Sequence, residues 1–211
     1  MKTEDLITSL SGTPAAAPFA PVKLAAGMAA FVLAPVALFL GIFGTRPGLA
    51  LALTNPVVPF KTAIPLLVCL TSAALALRLA RPEARPGRLP YLYLIPGSIA
   101  LALWIGAFAL LPATARFAEV TAAGLAECLG SIPLLSILPA IAALRLLRRG
   151  ASTVPALSAT LAGLMAASGA AAGYSLFCTR DNPLFFITWY GVAIVIVTAA
   201  TRHFGRRMLV W

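Results

Sequence analysis

Leu24–Phe43 reads LAAGMAAFVLAPVALFLGIF, twenty residues without a single charge. An α-helix needs about 20 apolar residues to cross a hydrocarbon core roughly 30 Å thick, so this stretch alone argues for a membrane span. Five more runs of the same kind follow, at Thr62–Ala80, Tyr91–Leu111, Ala123–Leu144, Pro155–Phe177 and Phe185–Phe204. The second carries Lys61 at its start and Arg78 near its end, and Pro65 falls in its first turn, where a missing N–H costs little. Pro35, Pro96, Pro133 and Pro139 fall inside spans, where they predict kinks. The expected fold is therefore all-α, a polytopic six-transmembrane-helix bundle. It divides into an N-terminal arm (residues 1–23), a membrane domain (24–204) and a short basic C-terminus (205–211).

Composition agrees. Across 211 residues 61% are hydrophobic and 10% charged, whereas soluble domains carry about 25% charged residues. The net charge of +10 does not point to nucleic acid, because the basic residues sit in short clusters between apolar runs. Their distribution instead sets an orientation. With both termini in the cytoplasm, 12 basic residues lie inside and 4 outside (Arg46, Lys61, Arg116 and Arg180), as the positive-inside rule requires. Tyr91, Tyr93, Trp189, Tyr190 and Trp211 fall near span ends, where interfacial anchors belong. The first ten residues include Glu4 and Asp5 and precede any apolar run, unlike a cleavable signal peptide.

Catalytic constellations are missing. His203 is the single histidine and sits among Arg202, Arg206 and Arg207. No serine has a histidine partner, no Gly-rich phosphate loop is present, and no carboxylate pair lies in the spans. The chain reads as a non-enzyme without a cofactor. Glu127 is the one carboxylate inside a span, near its outer end. It is either a side chain reaching the interface or a proton- or metal-responsive group. Cys69, deep in the second span, reads as a packing thiol. Cys128, early in the fourth span, and Cys178, ending the fifth, fall at similar depth near the outer face. They are either unpaired packing thiols or a pair able to form a disulfide or to bind a soft metal transiently with Glu127 or Asp181. The run Ala166–Gly173 (AASGAAAG) permits close helix approach. In the arm, Thr3 can cap a short helix with Glu4 and Asp5 in its first turn and Leu6, Ile7 and Leu10 along one stripe. Such a helix suits docking on a partner protein.

Several of these stretches carry a resemblance. MKTEDLITSL at the start, CLGSIPLLSILP at Cys128–Pro139 and FC…NPLFF…WYG across Phe177–Gly191 resemble the NrsF family of six-span bacterial inner-membrane proteins. RLARPEARPG at Arg78–Gly87 and the terminal GRRMLVW fit the same pattern. The resemblance implies an anti-sigma factor that holds an ECF sigma factor on its cytoplasmic face, with no direct nucleic-acid contact. It also implies a stress-sensing cysteine pair on the outer side, at positions matching Cys128 and Cys178. Clamping these thiols would tilt the hairpin of the fourth and fifth spans, with Pro133 and Pro139 supplying the bend. The alternative class is a small transporter or channel for a metal or organic solute, its polar path assembled from Glu127, Ser131, Ser136 and Thr160. A third is a structural subunit of a larger membrane complex.

Overall fold

In a bilayer each backbone N–H and C=O must be satisfied within its own segment, so long apolar runs fold as helices. The computed structural model describes residues 3–4, 20–150 and 152–209. Its elements are α1 (Pro21–Phe43), a short α2 (Leu49–Ala52), α3 (Val57–Leu79), a 3₁₀ turn (Leu89–Tyr93) leading into α4 (Leu94–Leu110), a short α5 (Ala113–Arg116), α6 (Ala122–Leu147), α7 (Pro155–Tyr174) and α8 (Pro183–Met208). Among the described residues, six segments are long and apolar enough to cross a membrane: α1, α3, the 3₁₀ turn with α4, α6, α7 and α8. The chain is an all-α, multi-pass membrane protein.

Local chemistry explains the helix starts. Proline opens α1, α7 and α8, where its fixed φ is already helical and its absent N–H would have lacked a partner. Thr121 caps α6 by accepting the Gly124 N–H, and Asn182 caps α8 by accepting that of Leu184. Several expected boundaries move. Helix α3 begins at Val57, five residues before the expected start, so Pro65 lies inside the helix and Lys61 within it rather than at its edge. Pro96 falls in the first turn of α4, where it displaces no helical bond, so the kink expected there has no cause. Helix α7 ends at Tyr174, which leaves Cys178 in the connection to α8, and α8 continues to Met208. Tyr190, expected as an interfacial anchor, is buried in the core at 3% exposure. Trp211 lies outside the described residues.

The centre of the bundle is α7, with 78% of its most apolar stretch buried. Apart from Leu161, Met165 and Tyr174, its buried residues are Ala, Gly and Ser, so neighbouring backbones approach closely. A Cβ added at Gly169 would lie 2.6 Å from Val32 Cγ1, and one at Gly173 would collide with Val36. These notches seat α1. On another side, Gly163 faces Thr198 and Thr201 of α8. α7 also packs against α3 and α6, while α4 stays peripheral on α3 and α8. The contacts fix the directions: α1 and α7 run parallel, since 32 meets 169 and 36 meets 173. Helix α8 runs antiparallel to α7, since Thr201 meets Gly163 and Gly205 approaches Ala159. One end of the bundle collects Arg46, Lys61, Arg180 and Asp181. The other collects the arginines of Arg78–Arg88, Arg145–Arg149 and Arg202–Arg207.

Filling a notch should separate helices. Gly173→Val is expected to cost about 1–3 kcal/mol or more through overpacking and to lower the melting temperature of the purified protein in detergent. Gly41→Ala, in the same α1 but with open space around it, should leave melting unchanged or slightly raised.

Candidate functional site

Helix α7 stops at Tyr174, and residues 175–182 return the chain to α8. Nearly every neighbour holds this connection. From α3, the Lys61 ammonium donates to the carbonyls of Cys178 and Arg180, both at 2.7 Å, and to Asp181 Oδ1 at 3.2 Å. From the loop after α1, Arg46 Nη1 lies 2.7 and 2.8 Å from the two Asp181 carboxylate oxygens, and the Arg46 N–H donates to the Leu176 carbonyl at 3.0 Å. Thr62 and Ser175 share a hydrogen bond of 2.6 Å. From the α5–α6 side, Asn182 donates to the carbonyls of Ala115 and Arg116, and its N–H reaches Glu119 Oε2. Arg180 donates to the Glu119 carbonyl.

Lys61 is 1% exposed. A buried ammonium is tolerated only when its donors are used, and here three oxygens take them. The carboxylate of Asp181 faces two cations. Burial pushes its pKa up, but the hydrogen bond from Arg46 and the charge and hydrogen bond of Lys61 outweigh burial and hold it below the usual carboxylate range. The same Arg46–Asp181 bond raises the arginine's pKa.

Behind this polar layer lie the thiols. Cys128 on α6 is fully buried, and Cys178 is 5% exposed. Both belong to one apolar cluster with Ile132, Tyr174, Phe185 and Tyr190. An aromatic group continues from it: Tyr174 lies 5.8 Å from Tyr190 and 6.0 Å from Phe177, ring centre to ring centre, and Phe177 meets Phe39 of α1 edge-on at 5.2 Å. Cys69 sits apart in the second buried cluster, against Gly169.

The other candidate residues fall elsewhere. Glu127 neighbours Cys128 in sequence, but its side chain is 58% exposed and its nearest cation is Arg180 at 4.0 Å. Asp181 is committed to Arg46 and Lys61. Among the described residues, no group of three or more His, Cys, Asp or Glu side chains is placed to hold a metal ion. The hydroxyls of Ser136 and Thr160 close onto their own helices, at Ile132 and Ala156, as intrahelical serine and threonine commonly do. Of the arm, Thr3 and Glu4 are described as helical and exposed. Asp5, Leu6, Ile7 and Leu10 lie outside the described residues.

Sequence reasoning did not find the grip of Lys61 and Arg46 on the 175–182 connection. By sequence Lys61 reads as a charge at a span edge, whereas it lies inside α3 and is buried. Two of its three partners are backbone carbonyls, which leave no mark on the residue pattern. A lysine one turn before a mid-helix proline, with a lone aspartate in a distant loop, was the available signal.

This grip should limit access to the thiols. Lys61→Met removes the bonds to Cys178 and Arg180 and is expected to speed maleimide labelling of Cys178 under native conditions, while Cys69 labelling stays slow. The Asp181 carboxylate stabilises the fold while ionised. Its native pKa is lowered, so the contribution is complete above its ordinary value of about 4 and disappears as pH falls through the lowered native value. Melting in detergent should therefore drop in the wild type as pH falls below about 4. Asp181→Asn should melt lower already at pH 7 and lose that acid-dependent step.

Comparison with known proteins places this geometry in a lineage. The family description "Negative regulator of sigma F" (NrsF) matches residues 10–211. A protein of Azospira oryzae described as "Probable anti-sigma-F factor NrsF" is 33% identical over 218 aligned positions, covering the whole of both chains. No solved structure is similar to the chain. A match of this extent and identity is decisive: the chain belongs to the NrsF family.

Proposed function

We propose that the protein is a membrane-bound anti-sigma factor that holds an ECF-type sigma factor at the cytoplasmic face of the bacterial inner membrane. Release would follow redox or heavy-metal stress sensed at Cys128 and Cys178. The observation that carries this reading is the full-length similarity to a protein described as an anti-sigma-F factor. The arrangement supports it: two thiols from different elements share one buried cluster, beneath a connection pinned by Lys61 and Arg46. The arginine-rich end is the cytoplasmic one on this reading, as the positive-inside rule requires, which puts the thiol cluster toward the outer side. The transporter reading gains nothing from Ser136 and Thr160, whose hydroxyls are spent within their own helices.

The switch has a physical route. Oxidation joins the two sulfurs and passes two electrons to the oxidant and two protons to solvent. A soft metal would bridge the thiolates instead. Either event draws α6 and the 175–182 connection together, and that connection is tied to α1 through Arg46 and to α3 through Lys61. α1 leads back to the N-terminal arm, where Glu4, Asp5, Leu6, Ile7 and Leu10 are the proposed sigma-factor contacts. A difference in partner affinity of about 1–3 kcal/mol between two geometries is ordinary for such coupling.

Pull-down from solubilised membranes, with mass spectrometry of the soluble partners, tests the reading directly. A sigma factor should be recovered with the wild type and lost with Asp5→Arg/Leu6→Glu. Cys128→Ser/Cys178→Ser should retain the partner but fail to release it under oxidant or cadmium, whereas Cys69→Ser should release normally. Recovery of integral membrane proteins alone, without a sigma factor, would overturn the assignment. Full release by the double cysteine variant would remove the thiol switch and leave the anti-sigma role standing.

A further inference from the structure

Helices α6 and α8 pack against each other, but their outward faces diverge and leave a groove of about 480 Å³. Leu134, Ile137 and Ile141 line it from α6, and Ile196, Ala200 and Phe204 from α8. Its wall is almost wholly apolar. The hydroxyl of Ser136, which also borders it, is turned back onto the Ile132 carbonyl. Leu134, Ile137, Ile141, Ile196 and Phe204 are all more than 40% exposed, so the protein itself does not fill this space.

The two stripes do not end in apolar residues. Steps of three and four carry Leu134 to Ile137 and Ile141, and the next positions on that face are Arg145 and Arg148. On α8, steps of four and three carry Ile196 to Ala200, Phe204 and then Arg207. Residues at this spacing stack along one helix face. All three arginines are exposed, and none has an ion-pair partner among the described residues. The groove is therefore an apolar trough at the depth of the spans, closed toward the arginine-rich end by Leu144 and Met208, and just beyond it the same two helix faces carry Arg145, Arg148 and Arg207.

We infer that the α6–α8 groove binds an anionic phospholipid, its acyl chain in the trough and its phosphate at Arg145, Arg148 and Arg207. The charge complementarity selects the occupant. Guanidinium forks match phosphate oxygens, and basic groups at a bilayer surface favour anionic over zwitterionic headgroups. The apolar wall selects a lipid over a soluble phosphate ester, which would leave the trough empty. The site is separate from the thiol cluster, at the opposite end of the bundle, and the inference stands whichever way the chain crosses the membrane.

The test uses full-length protein purified in a mild detergent, with phosphatidylglycerol or phosphatidylcholine added at equal mole fraction. Lipid retention is read by native mass spectrometry and stability by thermal unfolding. The wild type should retain phosphatidylglycerol and melt higher with it, and show neither effect with phosphatidylcholine. Arg145→Gln/Arg148→Gln/Arg207→Gln, all at exposed positions, should keep its helicity and lose at least about tenfold in phosphatidylglycerol retention. Ala200→Trp keeps every charge but fills the trough from an exposed position, and it too should lose retention. Equal effects of the two lipids would overturn the inference, as would undiminished retention in either variant. Stabilisation by inorganic phosphate equal to that by phosphatidylglycerol would reduce the site to an anion contact and sink the lipid assignment. A triple variant that keeps its lipid preference but loses a soluble partner protein would make the arginines a protein-docking surface instead.

Discussion

Inside a bilayer, helices gain little by hiding apolar surface from one another, because the lipid tails are equally apolar. What holds a bundle together is the closeness of its backbones and the dispersion contacts that closeness brings. In this protein that constraint falls on α7. Its seam of glycine, alanine and serine lets α1, α3, α6 and α8 approach from different sides, with Val32 and Val36 seated in notches that no side chain could share. A bulky residue at the centre would push several helices outward together. The position of the 175–182 connection follows from this arrangement, because it leaves the end of the most enclosed helix and is surrounded by the ends of its neighbours.

The polar layer at that end solves a second problem. Two cations, Arg46 and Lys61, converge on one carboxylate, which leaves a formal excess of positive charge in a poorly hydrated place. Backbone carbonyls of Cys178 and Arg180 absorb the remainder by accepting from Lys61. The connection is thus rigidified by groups from three separate parts of the chain, and the residue that carries one of the thiols is among those gripped. Through Arg46, which holds Asp181 and the Leu176 carbonyl, the same connection is tied to the loop that follows α1.

The sequence was most legible where one physical rule dominates. Six long apolar runs become helices because a bilayer permits little else, and the AASGAAAG run foretold the tight packing of α7. Boundaries were less legible. Helix α3 starts at Val57 because the residues before Thr62 can be helical, although Pro59 and Lys61 look like a loop. Tyr190 reads as an interfacial anchor by position, yet helix packing turns it inward. The thiols could be placed at similar depth from the order of the spans, but their common cluster depends on which faces of α6 and the 175–182 connection meet, and hydropathy carries no such information. Glu127 shows the same limit from the other side. It adjoins Cys128 in the chain, and the rotation of about 100° per helical residue turns it toward solvent instead.

The seating of α1 also has a consequence for biogenesis. Helix α1 emerges from the ribosome long before Gly169 and Gly173 exist, so it must wait in lipid without the notches that seat it. At ordinary translation rates that interval is on the order of ten seconds. Throughout it, α1 has to be stable in lipid without that seat, a demand met by a run that carries no charge from Leu24 to Phe43. The last stages of synthesis then bring the notches of α7 to it, and a span made early is among the last to be fully seated.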